Sequence, residues 1–245
     1  MMPIFIFHDY VHHSGPLYSA LALRYGPEKV RYVTAADILA GVLHEEPTAF
    51  VRPGGASRYG ASKLSGAGYR AIRAYVARGG TYLGICGGAY DACARTRWAV
   101  GTDHELAVDN ELALFAADAV GPIAEFCNAR DREGTEAKLV SLDIGARRIR
   151  TLYWGGGRFV PHAGARFVEH ARYADLGSNA AAVVSGSFGE GRWLLSSPHL
   201  EYDHAALQLS TFDVPSNHYT DISRLTDTDD VSLEPFHQLL DSLIR

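Results

Sequence analysis

The chain is poor in several features that mark broad classes of protein. Its 245 residues include only three cysteines, a small and odd number that argues against a disulfide scaffold and favours a reducing compartment. No apolar run reaches the length of about 18 residues that suggests a membrane helix, and residues 1–7 lack the basic segment of a signal peptide. The formal net charge of −5 argues against a nucleic acid or an anionic membrane as partner. We therefore expect a cytoplasmic protein without nucleic-acid or membrane partners.

What the chain does have is apolar sequence in alternating strand-like and helix-like patterns. Hydrophobic residues make up 47% of it, enough for a sizeable core in a single domain spanning residues 1–245. The first half predicts strands at 3–7, 30–34, 49–51 and 82–85, and helices between 14 and 26, at 35–43, at 69–77 and from 86 to about 95. Such alternation predicts a parallel sheet covered on both faces, with ligands at the carboxyl ends of its strands.

The second half has a different pattern. Strands are predicted at 138–142, 149–154, 181–187 and 192–196, with a glycine-rich hairpin turn between the last two. Residues 214–232 are polar and predict a connector, and 233–245 predict an amphipathic C-terminal helix.

Residues 82–90, Tyr-Leu-Gly-Ile-Cys-Gly-Gly-Ala-Tyr, carry the most informative pattern. An apolar strand runs directly into Cys86, and Gly84 and Gly88 stand at the spacing of a nucleophile elbow with cysteine in place of serine. Such an elbow exposes the sulfur at the sheet edge and places it at a helix N-terminus, which favours the thiolate. The alternative is a buried structural cysteine.

Two further segments have the chemistry that a cysteine nucleophile needs. His199 and Glu201 follow an apolar strand, and residues i and i+2 of an extended segment point the same way, so a carboxylate can orient an imidazole base. Pro53, Gly54 and Gly55 follow another strand, where backbone N–H groups can point into a site as oxyanion donors. The alternatives are a solvated strand end for the first segment and an ordinary tight turn for the second.

In this order, the three segments resemble the class I glutamine amidotransferase-like superfamily and, more closely, the biotin-protein ligase N-terminal-domain family within it. The closer resemblance rests on residues 53–57, 72–76, 79–90, 153–157 and 197–201, including Ala89 and Tyr90 after the elbow. It implies a flavodoxin-like α/β fold, a three-layer sandwich with a mostly parallel central sheet and additional antiparallel strands in the C-terminal half.

The resemblance also implies roles for individual residues. Cys86 would be the nucleophile, His199 the base and Glu201 its orienting group, with the backbone amides of Gly55 and Gly87 as oxyanion donors. The sequence has no Gly-Arg-Gly-Arg-like loop, so we expect neither the family's ligase domain nor a synthetase domain that receives ammonia.

Histidines near the first strand raise the question of a metal. His8 and His12 have i, i+4 spacing, but they fall in a loop rather than on a helix that would align them. We therefore predict no metal and no cofactor. Asp9 and Tyr90 are instead predicted to contact the substrate, together with Gly54, Gly55 and Gly87.

Three functions remain open from the sequence. The first is an amidotransferase-like thiol hydrolase acting on a small amide or peptide-like molecule through Cys86, His199 and Glu201. The second is a glutaminase subunit that supplies ammonia to a separate partner, and the third is a non-catalytic small-molecule-binding domain. The complete Cys-His-Glu set favours the first two, and the lack of a fused acceptor domain favours the first.

Overall fold

A computed structural model of the chain describes residues 2–9, 11, 14–55, 57–127, 136–177, 180–209, 222 and 225–244. The helices are α1 (Ser14–Tyr25), α2 (Ala35–Leu39), α3 (Ser57–Ala77), α4 (Gly87–Ala92), α5 (His204–Leu209) and α6 (Glu234–Ile244). The strands are β1 (Ile4–Phe7), β2 (Val30–Val33), β3 (Ala49–Arg52), β4 (Thr81–Ile85), β5 (Cys93–Trp98), β6 (Leu106–Asp109), β7 (Phe115–Gly121), β8 (Ala137–Ile144), β9 (Arg147–Trp154), β10 (Arg158–Pro161), β11 (Val168–Tyr173), β12 (Ala181–Phe188) and β13 (Gly191–Ser196).

A nine-stranded sheet forms the centre of the α/β fold, in the order β2-β1-β3-β4-β13-β12-β11-β8-β9. The strands from β2 to β13 pair in parallel, whereas those from β13 to β9 pair antiparallel. The predicted combination of a parallel first half with antiparallel strands from the C-terminal half is confirmed. Because β1, β3, β4 and β13 run the same way, the loops after them meet at one edge of the sheet, as predicted.

Helices cover both faces of the parallel half. One core cluster joins the sheet to α1 and α6 through Leu17 and Leu240, and the other joins it to α2 and α3 through Ile38 and Ile72. Every residue of β1, β3 and β4 is buried. This agrees with their largely apolar sequences, because a parallel strand covered on both faces has no solvent side.

A second, four-stranded sheet was not predicted. Its order is β10-β7-β5-β6, and Phe115 and Phe159 bring its apolar side into the same core cluster as α3. β5 occupies part of the helix predicted after the elbow, so that prediction is wrong beyond Ala92. Cys93 is already extended, with φ −74° and ψ 155°, and the following Thr96 and Trp98 favour a strand.

Two other helix boundaries differ from the sequence prediction. The helix predicted at 35–43 ends at Leu39, because the chain turns at Gly41, whose φ of 94° is left-handed. The helix predicted at 69–77 is the second of two helical segments within Ser57–Ala77, which meet at a kink at Ser65, where φ is 52° and ψ is 178°. The first segment was not predicted, because its glycine lowers helix propensity.

The C-terminal predictions agree with the structure where it describes them. The hairpin between β12 and β13 is present, and α6 buries Phe236, Leu239, Leu240 and Leu243 on one side. Most of the predicted connector at 214–232 lies outside the described residues. Within the described ranges, no helix is both long and apolar enough to cross a membrane.

Candidate functional site

Cys86 lies at the sharp turn between β4 and α4, at the carboxyl edge of the parallel strands. Its backbone has φ 48° and ψ −107°, a sparsely populated conformation that costs about 1–3 kcal/mol for a residue other than glycine. Its N–H donates to the carbonyl of Ser196 at 2.8 Å, which ties the turn to the end of β13. Gly84 and Gly88 pack closely here, since a Cβ on Gly84 would lie 2.6 Å from the Gly88 carbonyl oxygen. The predicted strand-to-helix turn is confirmed, but the expected exposure of its cysteine is wrong, because Cys86 is only 8% exposed.

His199 reaches the Cys86 side chain from the segment after β13. The backbone N–H of His199 donates to the Leu152 carbonyl at 2.8 Å, which fixes the start of this segment against β9. The imidazole hydrogen bonds to the Cys86 side chain, and its Nδ1 lies 2.7 Å from Oε1 of Glu201. Both His199 and Glu201 are only 2% exposed. The three side chains therefore form one buried chain of hydrogen bonds.

The environment of His199 makes it a stronger base than a free imidazole. Burial of the ring opposes protonation, but the Glu201 carboxylate and the hydrogen bond to Cys86 outweigh burial and raise the pKa of His199 to about 10. An adjacent carboxylate favours the imidazolium form and fixes the orientation of the ring.

The Pro-Gly-Gly loop after β3 packs against both Cys86 and His199. A Cβ on Gly54 would lie 2.7 Å from Cε1 of His199 and 3.3 Å from Cβ of Cys86, so only glycine fits there. Gly55, with φ 121°, lies against Gly87, whose added Cβ would be only 2.1 Å from the Gly55 carbonyl oxygen. The structure thus brings Gly54, Gly55 and Gly87 to Cys86, and their role as oxyanion donors stays a prediction.

Asp9 and Tyr90 already have partners within the chain. Oδ2 of Asp9 accepts a hydrogen bond from the Ala35 N–H at 2.6 Å, at the first residue of α2. Tyr90 is 4% exposed, and its hydroxyl donates to the Gly155 carbonyl at 3.2 Å. Contact of either side chain with a substrate stays a prediction.

A segment of the site that the sequence analysis did not assign lies between β9 and β10. We call Trp154, Gly155, Gly156 and Gly157 the glycine strap. The carbonyl of Trp154 accepts a hydrogen bond from Sγ of Cys86 at 3.4 Å, so the strap is in direct contact with the candidate nucleophile. The sequence signal was the run of three consecutive glycines directly after a strand, which permits such a close backbone approach.

A buried ion pair beneath the elbow was also missed. Nη2 of Arg52 lies 3.2 Å from Oδ2 of Asp91, and the Tyr69 hydroxyl donates to the same Oδ2 at 3.0 Å. Nη1 of Arg52 donates to the Pro53 carbonyl at 3.3 Å. The group joins the Pro-Gly-Gly loop to α3 and α4. A charged residue at the end of the otherwise apolar β3 was the available signal, because buried charges need a partner.

Metal-ligating side chains do not cluster in the part of the chain that the structure describes. Its described residues contain no group of three or more His, Cys, Asp or Glu side chains that could hold a metal ion.

Comparison with known proteins assigns the chain to a family. The model of the family described as "Biotin-protein ligase, N terminal" matches residues 13–244. The chain belongs to this family.

An uncharacterized protein of Chlamydia muridarum is 35% identical over 164 residues, which cover 65% of this chain and 63% of that protein. The biotin–protein ligase of Schizosaccharomyces pombe is 26% identical over 175 residues, which cover 66% of this chain and 28% of the ligase. The chain thus spans less than two thirds of the length of either relative.

Solved structures with a similar fold share little sequence with this family member. A putative GMP synthase component from Thermoplasma acidophilum has a TM-score of 0.50 at 12% identity, covering 83% of this chain and 87% of that one. Gan42B, a GH42 beta-galactosidase from G. stearothermophilus, has a TM-score of 0.51 at 14% identity, covering 81% of this chain and 28% of the enzyme. The chain therefore shares its α/β fold with these structures, and at these identities the similarity concerns the fold alone.

Proposed function

We propose that this protein is an amidotransferase-like thiol hydrolase that acts on a small amide or peptide-like substrate. The observation that carries the proposal is the hydrogen-bonded chain from Cys86 through His199 to Glu201, which begins at a strained elbow. Nucleophile, base and orienting carboxylate are the three parts that cysteine-dependent acyl transfer requires. A non-catalytic binding domain has no need for all three in one hydrogen-bonded row.

The proposed reaction has two halves, formation of a thioester on Cys86 and its hydrolysis by water, and His199 transfers a proton in each. His199, which carries a proton at neutral pH, stabilises the thiolate of Cys86, and the sulfur attacks the amide carbon, forming a C–S bond. His199 then donates that proton to the leaving nitrogen as the C–N bond breaks, which releases the amine and leaves a thioester. Water attacks the thioester while His199 accepts a proton, and the C–S bond breaks to give the carboxylic acid and free Cys86.

The remaining parts of the proposal concern the setting of the reaction. The N–H groups of Gly55 and Gly87 hold the oxyanion, supported by the packing of Gly55 against Gly87, the residue that follows Cys86. The fold is a flavodoxin-like three-layer sandwich in one domain, supported by the parallel half-sheet with helices on both faces. The low cysteine content supports a cytoplasmic location.

A glutaminase subunit is the second candidate. Its support is the similarity in fold to the putative GMP synthase component. In that case glutamine would be the amide, and the ammonia released at Cys86 would pass to a separate acceptor protein.

The test incubates the protein with glutamine, with simple primary amides and with short peptide amides. Ammonia or amine release is measured, and the intact protein is examined by mass spectrometry for a thioester on Cys86. Turnover that is lost in Cys86→Ala and His199→Ala, with the double variant little worse than either, supports the proposal, because members of one catalytic unit are not additive. Ammonia release from glutamine only when cell extract is added favours the glutaminase subunit.

The control is His44→Ala, which removes an exposed imidazole in the segment before β3, at the end of the sheet opposite Cys86, and should leave turnover unchanged. The absence of both turnover and adduct across the panel, with and without extract, would overturn the catalytic proposal in favour of a binding domain.

A further inference from the structure

The glycine strap is held by an unusual set of hydrogen bonds. The hydroxyl of Tyr90 donates to the carbonyl of Gly155 at 3.2 Å and that of Tyr153 to Gly156 at 2.9 Å. The hydroxyl of Tyr173 lies 3.1 Å from the Gly157 carbonyl and also 3.1 Å from Oγ of Ser197, so it shares its proton between the two acceptors. Three consecutive glycine carbonyls are therefore bound by three tyrosines, which come from α4, β9 and β11.

These tyrosines are suited to act as permanent donors. Tyr90 is 4% exposed, and Tyr153 and Tyr173 are fully buried. Burial raises the pKa of all three hydroxyls well above the usual value, so they keep their protons. Because peptide groups are planar, fixing three carbonyls in a row fixes the orientation of the strap.

The strap is also pressed against the segment that carries His199. A Cβ on Gly156 would lie 2.7 Å from Oγ of Ser197, and that hydroxyl donates to the Gly157 carbonyl. The strap can approach so closely because three of its four residues have no side chain.

This arrangement places a hydrogen-bond acceptor at the sulfur of Cys86. The Trp154 carbonyl precedes the first bound glycine and accepts from Sγ at 3.4 Å. A thiol can donate to a carbonyl, but a thiolate has no proton to donate and is repelled by the negative end of the carbonyl dipole. The carbonyl therefore favours the neutral thiol.

The other groups facing Cys86 do not all act in the same direction. His199, supported by Glu201, binds the Cys86 side chain and favours the thiolate. The Tyr90 and Tyr173 hydroxyls lie near enough for a thiolate at Cys86 to affect them, but both donate to the strap rather than to sulfur.

We propose that Tyr90, Tyr153 and Tyr173 are positioning residues that hold the Trp154 carbonyl at Cys86 and thereby keep its sulfur a neutral thiol in the resting protein. Cys86 becomes a nucleophile only when it gives up this bond and loses its proton to solvent, with the protonated His199 stabilising the thiolate that forms. The inference concerns the proton on sulfur, which can be measured whether or not an amide is turned over. Its failure is therefore distinguishable from failure of the proposed function.

The test compares Tyr90→Phe with the wild type and with Tyr75→Phe. Tyr75 is the matched control, because it is also 4% exposed and its hydroxyl also donates to a backbone carbonyl, that of Pro47, at 2.9 Å. Tyr75 contacts Thr81, at the end of β4 opposite Cys86. Thiolate formation is followed against pH by ultraviolet absorbance and by the rate of iodoacetamide alkylation at Cys86, located by peptide mass spectrometry.

In Tyr90→Phe, the thiolate of Cys86 should form at lower pH than in the wild type. Below the pH at which the thiolate forms, Cys86 of the variant should be alkylated about three- to tenfold faster, the factor expected from one hydrogen bond. Tyr75→Phe should match the wild type. A Tyr90→Phe profile equal to that of the wild type, or shifted to higher pH, would overturn the proposal, and so would an equal shift in Tyr75→Phe.

A second measurement reads the proton directly and uses only wild-type protein and Cys86→Ser. The infrared spectrum of the wild type minus that of Cys86→Ser should contain a hydrogen-bonded S–H stretching band at neutral pH. The absence of that band would mean that the resting sulfur is a thiolate, which refutes the proposal. If Tyr90→Phe does not fold, as judged by circular dichroism, Tyr173→Phe tests the other end of the strap with the same expected direction.

Discussion

The buried pair of Arg52 and Asp91 makes the most quantitative prediction for stability. The two side chains are 1% and 6% exposed, and Arg52 also packs over the Phe7 ring, 4.9 Å from its centroid. Asp91→Asn keeps the shape of the side chain and an acceptor for Tyr69 but removes the negative charge. Breaking one side of a buried pair costs about 3–5 kcal/mol, because the remaining charge is left in a dry environment without compensation.

Urea unfolding followed by circular dichroism measures this loss as a change in the free energy of unfolding. The matched control is the pair of Arg95 and Asp109, whose atoms are 2.7 Å apart but whose side chains are 50% and 79% exposed. Asp109→Asn should cost less than about 1 kcal/mol, because water screens an exposed pair. The double variant Arg52→Met with Asp91→Asn should recover much of the loss, because it leaves no charge buried.

Equal losses for Asp91→Asn and Asp109→Asn would refute this reasoning. So would a double variant that is less stable than Asp91→Asn alone, because then the guanidinium would be stabilising without its partner.

Three further predictions concern the candidate site. Limited iodoacetamide at neutral pH should modify Cys86 and leave Cys93 untouched, because Cys93 is fully buried and burial raises the pKa of its thiol. Peptide mass spectrometry measures the modification of each cysteine, and equal modification of both would contradict this prediction. Gly54→Ala should displace His199, whose Cε1 would be 2.7 Å from the new Cβ, and should lower the rate of any Cys86-dependent turnover at least tenfold. The control Gly15→Ala, whose new Cβ meets nothing within 4 Å, should leave that rate unchanged. Full activity of Gly54→Ala in the same assay would show that the position of His199 is not needed for turnover. Burial lowers the pKa of His199, but Glu201 and the Cys86 side chain together outweigh burial and raise it from 6.5 to about 10. The stability that these contacts to the imidazolium contribute is fully present below pH 6.5 and is lost as the pH rises toward 10. The difference in unfolding free energy between wild type and Glu201→Gln should therefore shrink over that range in denaturant titrations, and a difference that grows would refute the sign.

Much of the first half of the fold was readable from the sequence because its signals are local. The alternating apolar segments predicted the strands from β1 to β4, and glycines around Cys86 predicted a backbone turn that the structure contains. The spacing of His199 and Glu201 likewise predicted two neighbouring side chains, which lie 2.7 Å apart. Each of these depends on a few residues adjacent in the chain, whose φ and ψ preferences and side-chain directions are set by their own chemistry.

The tertiary structure alone decided which distant segments meet at Cys86. The short α4, the second sheet beginning at β5 and the glycine strap bring Trp154 to the sulfur, although 68 residues separate the two positions in sequence. Arg52 and Asp91 likewise pair only because α4 folds over the end of β3. Local propensity is a weak constraint at such places, because packing overrides it. The sequence by itself therefore determined the elbow and the side chains beside it, whereas only the packed chain determined which carbonyl, which tyrosines and which buried charge surround them.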